Sequence, residues 1–286
     1  MTETWRLVSG AGFDAEAIEP GAEAGHHMAV DESVALAFQG GFSPPTLRIY
    51  RWRSPALTIG RFQSSDEIDW EACRRHRIPV ARRITGGGAV LHGQDLTYGL
   101  VGGTRFRPFD QRSVKETYLT LSRAFLKAFE RLGLEARPVR SPSRGESSAR
   151  CFATPSWHEI AINGRKVIGS AQKRWKHSFL QQGSVPLDFS PETVCRLFRF
   201  SGDGERLEAA RELGERACGL NDCASRPIRF EALEQAFIAG FEAVLGIRLV
   251  PGVLTPQEQN AASVLAREKY LLHEWTRDRS LGLERV

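Results

Sequence analysis

Strand-length and helix-length segments interleave along this chain, which predicts an α+β fold of mixed sheets with flanking helices. Three observations carry that prediction. Short apolar runs at 46–51, 56–59 and 78–81 alternate with segments of helical period at 28–38 and 113–131. Two alternating segments, SWHEIAI and RKVIGSAQ, are joined by Asn163-Gly164, the dipeptide that favours a type I′ hairpin. From Glu192 onward the pattern turns mostly helical.

Taken in order, residues 5–8 read as an edge strand and the polar, acidic 14–25 as a flexible loop. The helix at 28–38 (MAVDESVALAF) places Asp31 and Glu32 on a solvated face and ends at Gly40-Gly41. Residues 68–76 form a short helix leading into the stretch RRITGGGAVLHGQDLTYGL. Ser113 caps a long amphipathic helix through Arg131, with Glu116 as its capping-box acid. The Pro/Ser/Arg-rich 137–150 is a loop that delivers Cys151. A third strand at 178–185 returns beside the hairpin, and helices follow at 205–217 and 230–245. Thr255, Pro256 and Glu258 supply the N-cap, first-turn proline and capping acid of a helix to about Trp275. With no internal repeat and no long linker, a catalytic domain over 1–250 is expected to carry a helical tail, 251–286, packed on it.

Gly86, Gly87 and Gly88 remove three side chains from one turn. That serves close approach of the backbone to a ligand, or φ values that other residues resist. Phosphate-cradling glycine loops open a helix, whereas here Thr97 and Tyr98 continue a strand pattern, so the nucleotide fingerprints do not apply. A tight hairpin with no ligand is the alternative; the flanking Arg82, Arg83 and His92 weigh against it.

At 286 residues and 41% hydrophobic the chain can bury a sizeable core. It has no apolar run of transmembrane length and no signal-peptide segment at its start, so a cytoplasmic protein without a membrane partner is expected. Cys73, Cys151, Cys195, Cys218 and Cys223 are scattered without a CxxC pair, which points to thiols and no metal. The net charge of +5 is carried mainly by arginine, in no long tract and with no interleaved aromatic platform, which argues against nucleic acid. Basic residues cluster at 74–83, 137–150 and 165–176, a rim that would steer an acidic protein partner.

Four segments together carry a family resemblance: RRITGGGAVLH, Gly60-Arg61-Phe62-Gln63, GRKVIGSA and CFATPSW. They are similar to the biotin/lipoate A/B protein ligase superfamily, most like its LipM-type cysteine octanoyltransferases. The Lys-Trp-Pro-Asn-Asp strand of the biotin branch is missing, and His92 is followed by Gly93 where ligases often carry aspartate. The resemblance implies that Cys151 accepts an octanoyl group and that Lys166 contacts the acyl carbonyl. It implies that Arg83, Gly86, Gly87, Gly88 and His92 line the substrate site, with backbone N–H groups near Gly169, Ser170 and Ala171 assisting. The implied donor is octanoyl-acyl carrier protein, and the acceptor is a lysine of a lipoyl domain or of the glycine-cleavage H protein. A monomer without cofactor would suffice, because exchange between thioesters is nearly balanced and aminolysis is downhill without ATP. Arg150 beside Cys151 would favour the reactive thiolate. His158 stands where relatives commonly have tyrosine, and no role falls to it. The rival readings are an ATP-dependent lipoate ligase, an amidotransferase between lipoyl domains, and a non-catalytic acyl or carrier-binding module.

Overall fold

The structure, a computed structural model, describes residues 2–14, 16, 18–19, 21–104, 108–109, 113–139 and 159–278. The predicted Cys151 and His158, and most of the loop read at 137–150, lie outside the described residues. In chain order the first elements are β1 (Glu3–Ser9), α1 (Glu23–Gln39), β2 (Thr46–Tyr50), β3 (Ala56–Ile59), α2 (Trp70–Arg75), β4 (Val80–Arg82) and β5 (Val90–His92). There follow β6 (Asp95–Gly103), α3 (Val114–Arg131), β7 (Ala136–Pro138), β8 (Ile160–Ile162), β9 (Arg165–Arg174) and β10 (Ser178–Pro186). The last part holds α4 (Pro191–Cys195), α5 (Asp203–Arg216), α6 (Phe230–Leu245), β11 (Ile247–Pro251) and α7 (Pro256–Leu265).

Eight strands form one sheet in the order β11-β1-β2-β6-β10-β9-β8-β7, and β4-β3-β5 form a second, smaller sheet. β11, β1 and β2 pair in parallel and the rest of the large sheet antiparallel, so the sheet is mixed as its sequence predicts. α3 and α6 bury one face under a cluster of rings. Phe125 lies 5.2 Å from Tyr98 and 5.4 Å from both Phe237 and Phe241, centroid to centroid. α1 covers the other face, with α7 packed outside it.

Local chemistry explains why several expected elements form where they do. Asn163 (φ 51°) and Gly164 (φ 78°) are both left-handed, as a type I′ turn requires, and join β8 to β9. Ser113 Oγ accepts from the Glu116 N–H at 3.2 Å while Glu116 Oε2 accepts from the Ser113 N–H at 2.8 Å, closing the capping box of α3. Thr255 and Glu258 repeat that arrangement on α7.

Three expectations need correction. β1 is not an edge strand, because β11, from far along the chain, pairs with it from Glu3↔Ile247 to Leu7↔Pro251. The loop at 14–25 ends early, since α1 begins at Glu23. The last helix does not run to Trp275: α7 stops at Leu265 and is followed by π-helical turns at Ala266–Tyr270 and Glu274–Asp278. There the buried Arg82 guanidinium takes the carbonyls of Trp275, Thr276 and Arg277, so tertiary bonds outweigh the helical repeat. The glycine stretch is the strand-loop-strand connection expected, and not the alternative tight hairpin, because β4 and β5 do not pair but flank β3 on either side.

Candidate active site

Strand register brings the site together. Tyr50, Thr97, Ser184 and Gly169 lie in one row across β2, β6, β10 and β9, and all four line a cavity of about 330 Å³. Its volume is at the small end of the range that holds small ligands. Its opposite wall is the glycine loop between β4 and β5, with Phe62 and Gln63 beside it. Phe62 is 78% exposed although it lines this cavity, which puts an apolar ring at its mouth.

The neighbouring row, Arg48, Gly99, Gln182 and Ala171, shows what fixes the floor. A Cβ at Gly99 would lie 2.8 Å from Asp31 Oδ1, so the missing side chain of β6 is the space that the α1 carboxylate fills. Arg48 Nη1 and Gln182 Nε2 each donate to that carboxylate at 2.7 Å. Asp31 is therefore buried rather than on a solvated face, which corrects the reading made from helical period alone. The cost of burying it is met by these charge-assisted bonds. Gln182 in turn accepts from Thr85 Oγ1 at 2.8 Å, tying the start of the glycine loop to the large sheet.

Arg83 holds the rest of that loop. Its guanidinium donates to Thr58 O and Oγ1 (3.0 and 2.8 Å) and to the carbonyls of Gly86 and Gly88 (both 2.9 Å). Burial pushes its pKa down to about 10. Gly87 is left-handed (φ 86°), and a Cβ at Gly60 would meet Gly87 O at 1.9 Å. The glycines thus let two backbone segments touch as well as opening the cavity wall. Gly87 and Gly88 line the cavity; Gly86 gives its carbonyl to Arg83 instead.

His92 reaches the cavity from β5. Its Nε2 lies 2.8 Å from Thr58 Oγ1, its Nδ1 2.8 Å from Asp95 Oδ2, and Trp52 stacks on the ring at 4.3 Å. Burial raises the Asp95 pKa, but His92, Ser184 and the Gly93 N–H outweigh it and hold the carboxyl below its usual range. The imidazole is thereby fixed in orientation, a link from Ser184 through Asp95, His92 and Thr58 to Arg83.

Lys166 is only 9% exposed and lines the same cavity, as do Gly169, Ser170 and Ala171. Its Nζ lies 2.5 Å from Glu159 Oε1, and the carboxylate is buried too. Burial lowers the ammonium pKa below its usual value, and Glu159 offsets only part of that. The default reading of a strand lysine as a surface charge does not hold here. Arg82, Arg83 and Lys166 all lie inside the protein, so the basic clusters contribute less to the rim than their counts suggest. Among the described residues no group of His, Cys, Asp and Glu could hold a metal ion, and Cys218 and Cys223 are free thiols with sulfurs 3.4 Å apart.

A cavity walled by an arginine-stapled glycine loop on one side and a lysine-bearing hairpin on the other can seat an acyl chain and polarise its carbonyl. The Lipoyl protein ligase A/B catalytic domain matches residues 23–242. The chain belongs to this family. It is 40% identical over 281 residues to the octanoyltransferase LipM of Kyrpidia tusciae, covering 96% of this chain and 98% of that one. To the LipM of Geobacillus kaustophilus it is 37% identical with the same coverage. Among solved structures, one from a structural analysis of an archaeal lipoylation system, a bi-partite lipoate protein ligase and its E2 lipoyl domain from Thermoplasma acidophilum, superposes with a TM-score of 0.81 at 24% identity, covering 100% of both chains. A lipoate-protein ligase A bound with ATP gives 0.75 at 24% identity, covering 97% of this chain and 99% of that one. These two likenesses confirm the lipoyl ligase catalytic-domain fold expected from the sequence.

Sequence reasoning brought Arg83, Gly87, Gly88, His92, Lys166, Gly169, Ser170 and Ala171 to the cavity of this family member. It missed Thr58, Asp95 and Glu159, which bond Arg83, His92 and Lys166 directly, and Asp31 and Gln182, which fix the floor and tie it to the glycine loop through Thr85. A local signal existed for one of them: Glu159 lies seven positions before Lys166 across a two-residue hairpin, a separation that can make cross-strand neighbours.

Proposed function

We propose that this enzyme, an octanoyltransferase of lipoate biosynthesis, carries the octanoyl group on Cys151 and polarises its carbonyl with Lys166. The observation that carries this reading is the small, mostly apolar-walled cavity with a buried ammonium on its wall. The donor is octanoyl-acyl carrier protein, and the acceptor is a lysine of a lipoyl domain or of the glycine-cleavage H protein. We place this work in the cytoplasm and in a single copy of the chain; no helix among the described residues is long and apolar enough to cross a membrane.

Two steps balance the chemistry. The Cys151 thiolate attacks the octanoyl thioester, the carbon–sulfur bond to the carrier breaks, and the carrier thiol leaves with a proton. The neutral amine of the acceptor lysine then attacks octanoyl-Cys151, an amide forms, and Cys151 leaves as thiolate while the amine gives up a proton. Splitting the transfer lets the donor depart before the acceptor arrives. Each tetrahedral intermediate bears an oxyanion, for which Lys166 and the N–H groups near Gly169, Ser170 and Ala171 are the donors. A donor of this kind contributes about 2.7–4 kcal/mol in other enzymes. Arg83, Gly87, Gly88 and His92 shape the acyl seat, and Gly86 secures it through Arg83.

The test is transfer without ATP from octanoyl carrier protein to a lipoyl domain. Octanoyl amide on the acceptor lysine is expected with the wild type and not with Cys151→Ala. Modification only when free octanoate and ATP are supplied would replace this reading with a ligase.

A further inference from the structure

Beyond Lys166 itself, the hairpin that carries it holds a second charged group whose place in the reaction the family resemblance does not supply. We propose that Glu159 is a positioning residue that keeps the Lys166 ammonium charged and aimed into the cavity. The proposal rests on the role given to Lys166 above.

Geometry points to it first. β8 and β9 pair through the Asn163-Gly164 turn, but the register shifts between Ile160 and Ala161, so Ile160 faces Ile168 while Ala161 faces Lys166. The irregularity falls beside Glu159, and extra residues of this kind re-aim neighbouring side chains. The Glu159 carboxylate and the Lys166 ammonium end in contact at 2.5 Å, both almost removed from water. On the far side, the segment after α5 pins the lysine backbone, the Cys218 N–H donating to Lys166 O at 3.0 Å. Backbone and side chain are therefore both held.

Electrostatics supplies the reason. A buried ammonium without a counter-charge gives up its proton, and only the charged form is a strong oxyanion donor. Among the described residues, other charged and titratable groups stand near the cavity or near Lys166. Arg83 is a like charge on the opposite wall, and Arg165 precedes Lys166 on β9. Asp95 is taken up by His92, Ser184 and Thr97. The Tyr50 phenol, pushed well above its usual range by burial, stays neutral, as does the Cys218 thiol, pushed up to about 12 by burial and by Cys223. Glu159 is a carboxylate in direct contact with the ammonium.

The experiment is the pH dependence of Cys151 acylation by octanoyl carrier protein, followed by intact mass in single turnover on the full chain. Wild type, Glu159→Gln, Glu159→Asp and Lys166→Ala are compared between pH 5.5 and 9.5. Glu159→Gln keeps the shape but removes the charge. Its alkaline limb is expected to move down by a unit or more, a loss of about tenfold or greater at high pH that is largely recovered at low pH. Glu159→Asp is expected to return the limb toward the wild-type position. A loss of equal size at every pH in Glu159→Gln, or no loss, would overturn the proposal. If Glu159→Gln fails to fold, Glu159→Ala takes its place: an alkaline limb moved down supports the proposal and an unmoved limb overturns it. Lys166→Ala separates the two readings. Wild-type acylation in that variant would remove the role of Lys166 itself, whereas an inactive Lys166→Ala beside an unshifted Glu159→Gln would remove only Glu159.

Discussion

The two faces of the large sheet differ in what they bury beside their apolar packing. On β2, Leu47 and Ile49 point into the aromatic cluster under α3 and α6, while Arg48 and Tyr50 point toward α1. On β6, Leu96, Tyr98 and Leu100 join the first set, and Thr97 with the vacant side of Gly99 serves the second. One face excludes water with rings and methyl groups. The other has apolar packing of its own, but it also buries an ion pair and a neutral imidazole, and it borders the cavity. Apolar packing is tolerant of shape, whereas a buried charge tolerates only the partners that satisfy it. The α3/α6 face therefore supplies stability, and the α1 face supplies geometry to the site.

The sharpest way to break this contrast is Asp31→Ala. It leaves Arg48 buried without its carboxylate and frees Gln182 from its acceptor, so a loss of about 3–5 kcal/mol is expected together with octanoyl transfer. Urea unfolding and a transfer assay on the same sample read both. Phe237→Ala should be nearly as costly in stability, about 3–5 kcal/mol for a large ring removed from the core. Yet the folded fraction should transfer at close to the wild-type rate. If Phe237→Ala abolished transfer, or Asp31→Ala spared it, the division of labour between the faces would fail.

A smaller effect sharpens the comparison through pH. Arg48 Nη2 donates to His27 Nδ1 at 2.7 Å, which places the imidazole proton on Nε2 and leaves the ring neutral, stacked on Tyr50 at 4.1 Å. Burial, with Arg48 adding to it, lowers its pKa from 6.5 to about 3. The unfolded chain thus binds this proton more readily than the folded one. His27 contributes nothing adverse above pH 6.5, and stability falls as pH drops from 6.5 toward 3. At pH 5 the loss from this group is about 2 kcal/mol relative to pH 7. His27→Phe should remove that much of the decline, as measured by unfolding free energy at the two pH values. Identical slopes in both proteins would mean that His27 is not held neutral.

Much of the α3/α6 face could be read in the chain, because apolar period and capping boxes are local signals. The helix at 113–131 and the hairpin at Asn163-Gly164 appear where those signals place them. The α1 face could not be read in the same way. Asp31 has the spacing of a solvated residue, and only the gap at Gly99, 68 positions later, makes room for it. β11 was hidden for the same reason: its partner β1 lies at the other end of the sequence. The cavity residues were recognised from motif resemblance rather than period. The bonds that orient them run between segments far apart, as with Thr85 and Gln182 or Arg83 and Thr58.

The proposed transfer turns on a covalent octanoyl group at Cys151, and intact mass of the protein after mixing with octanoyl carrier protein, without ATP, tests it most directly. The wild type should gain one octanoyl group that hydroxylamine or an added lipoyl domain removes, and Cys151→Ala should gain none. An unmodified wild type that still octanoylates the lipoyl domain, or an adduct that persists in Cys151→Ala, would contradict it.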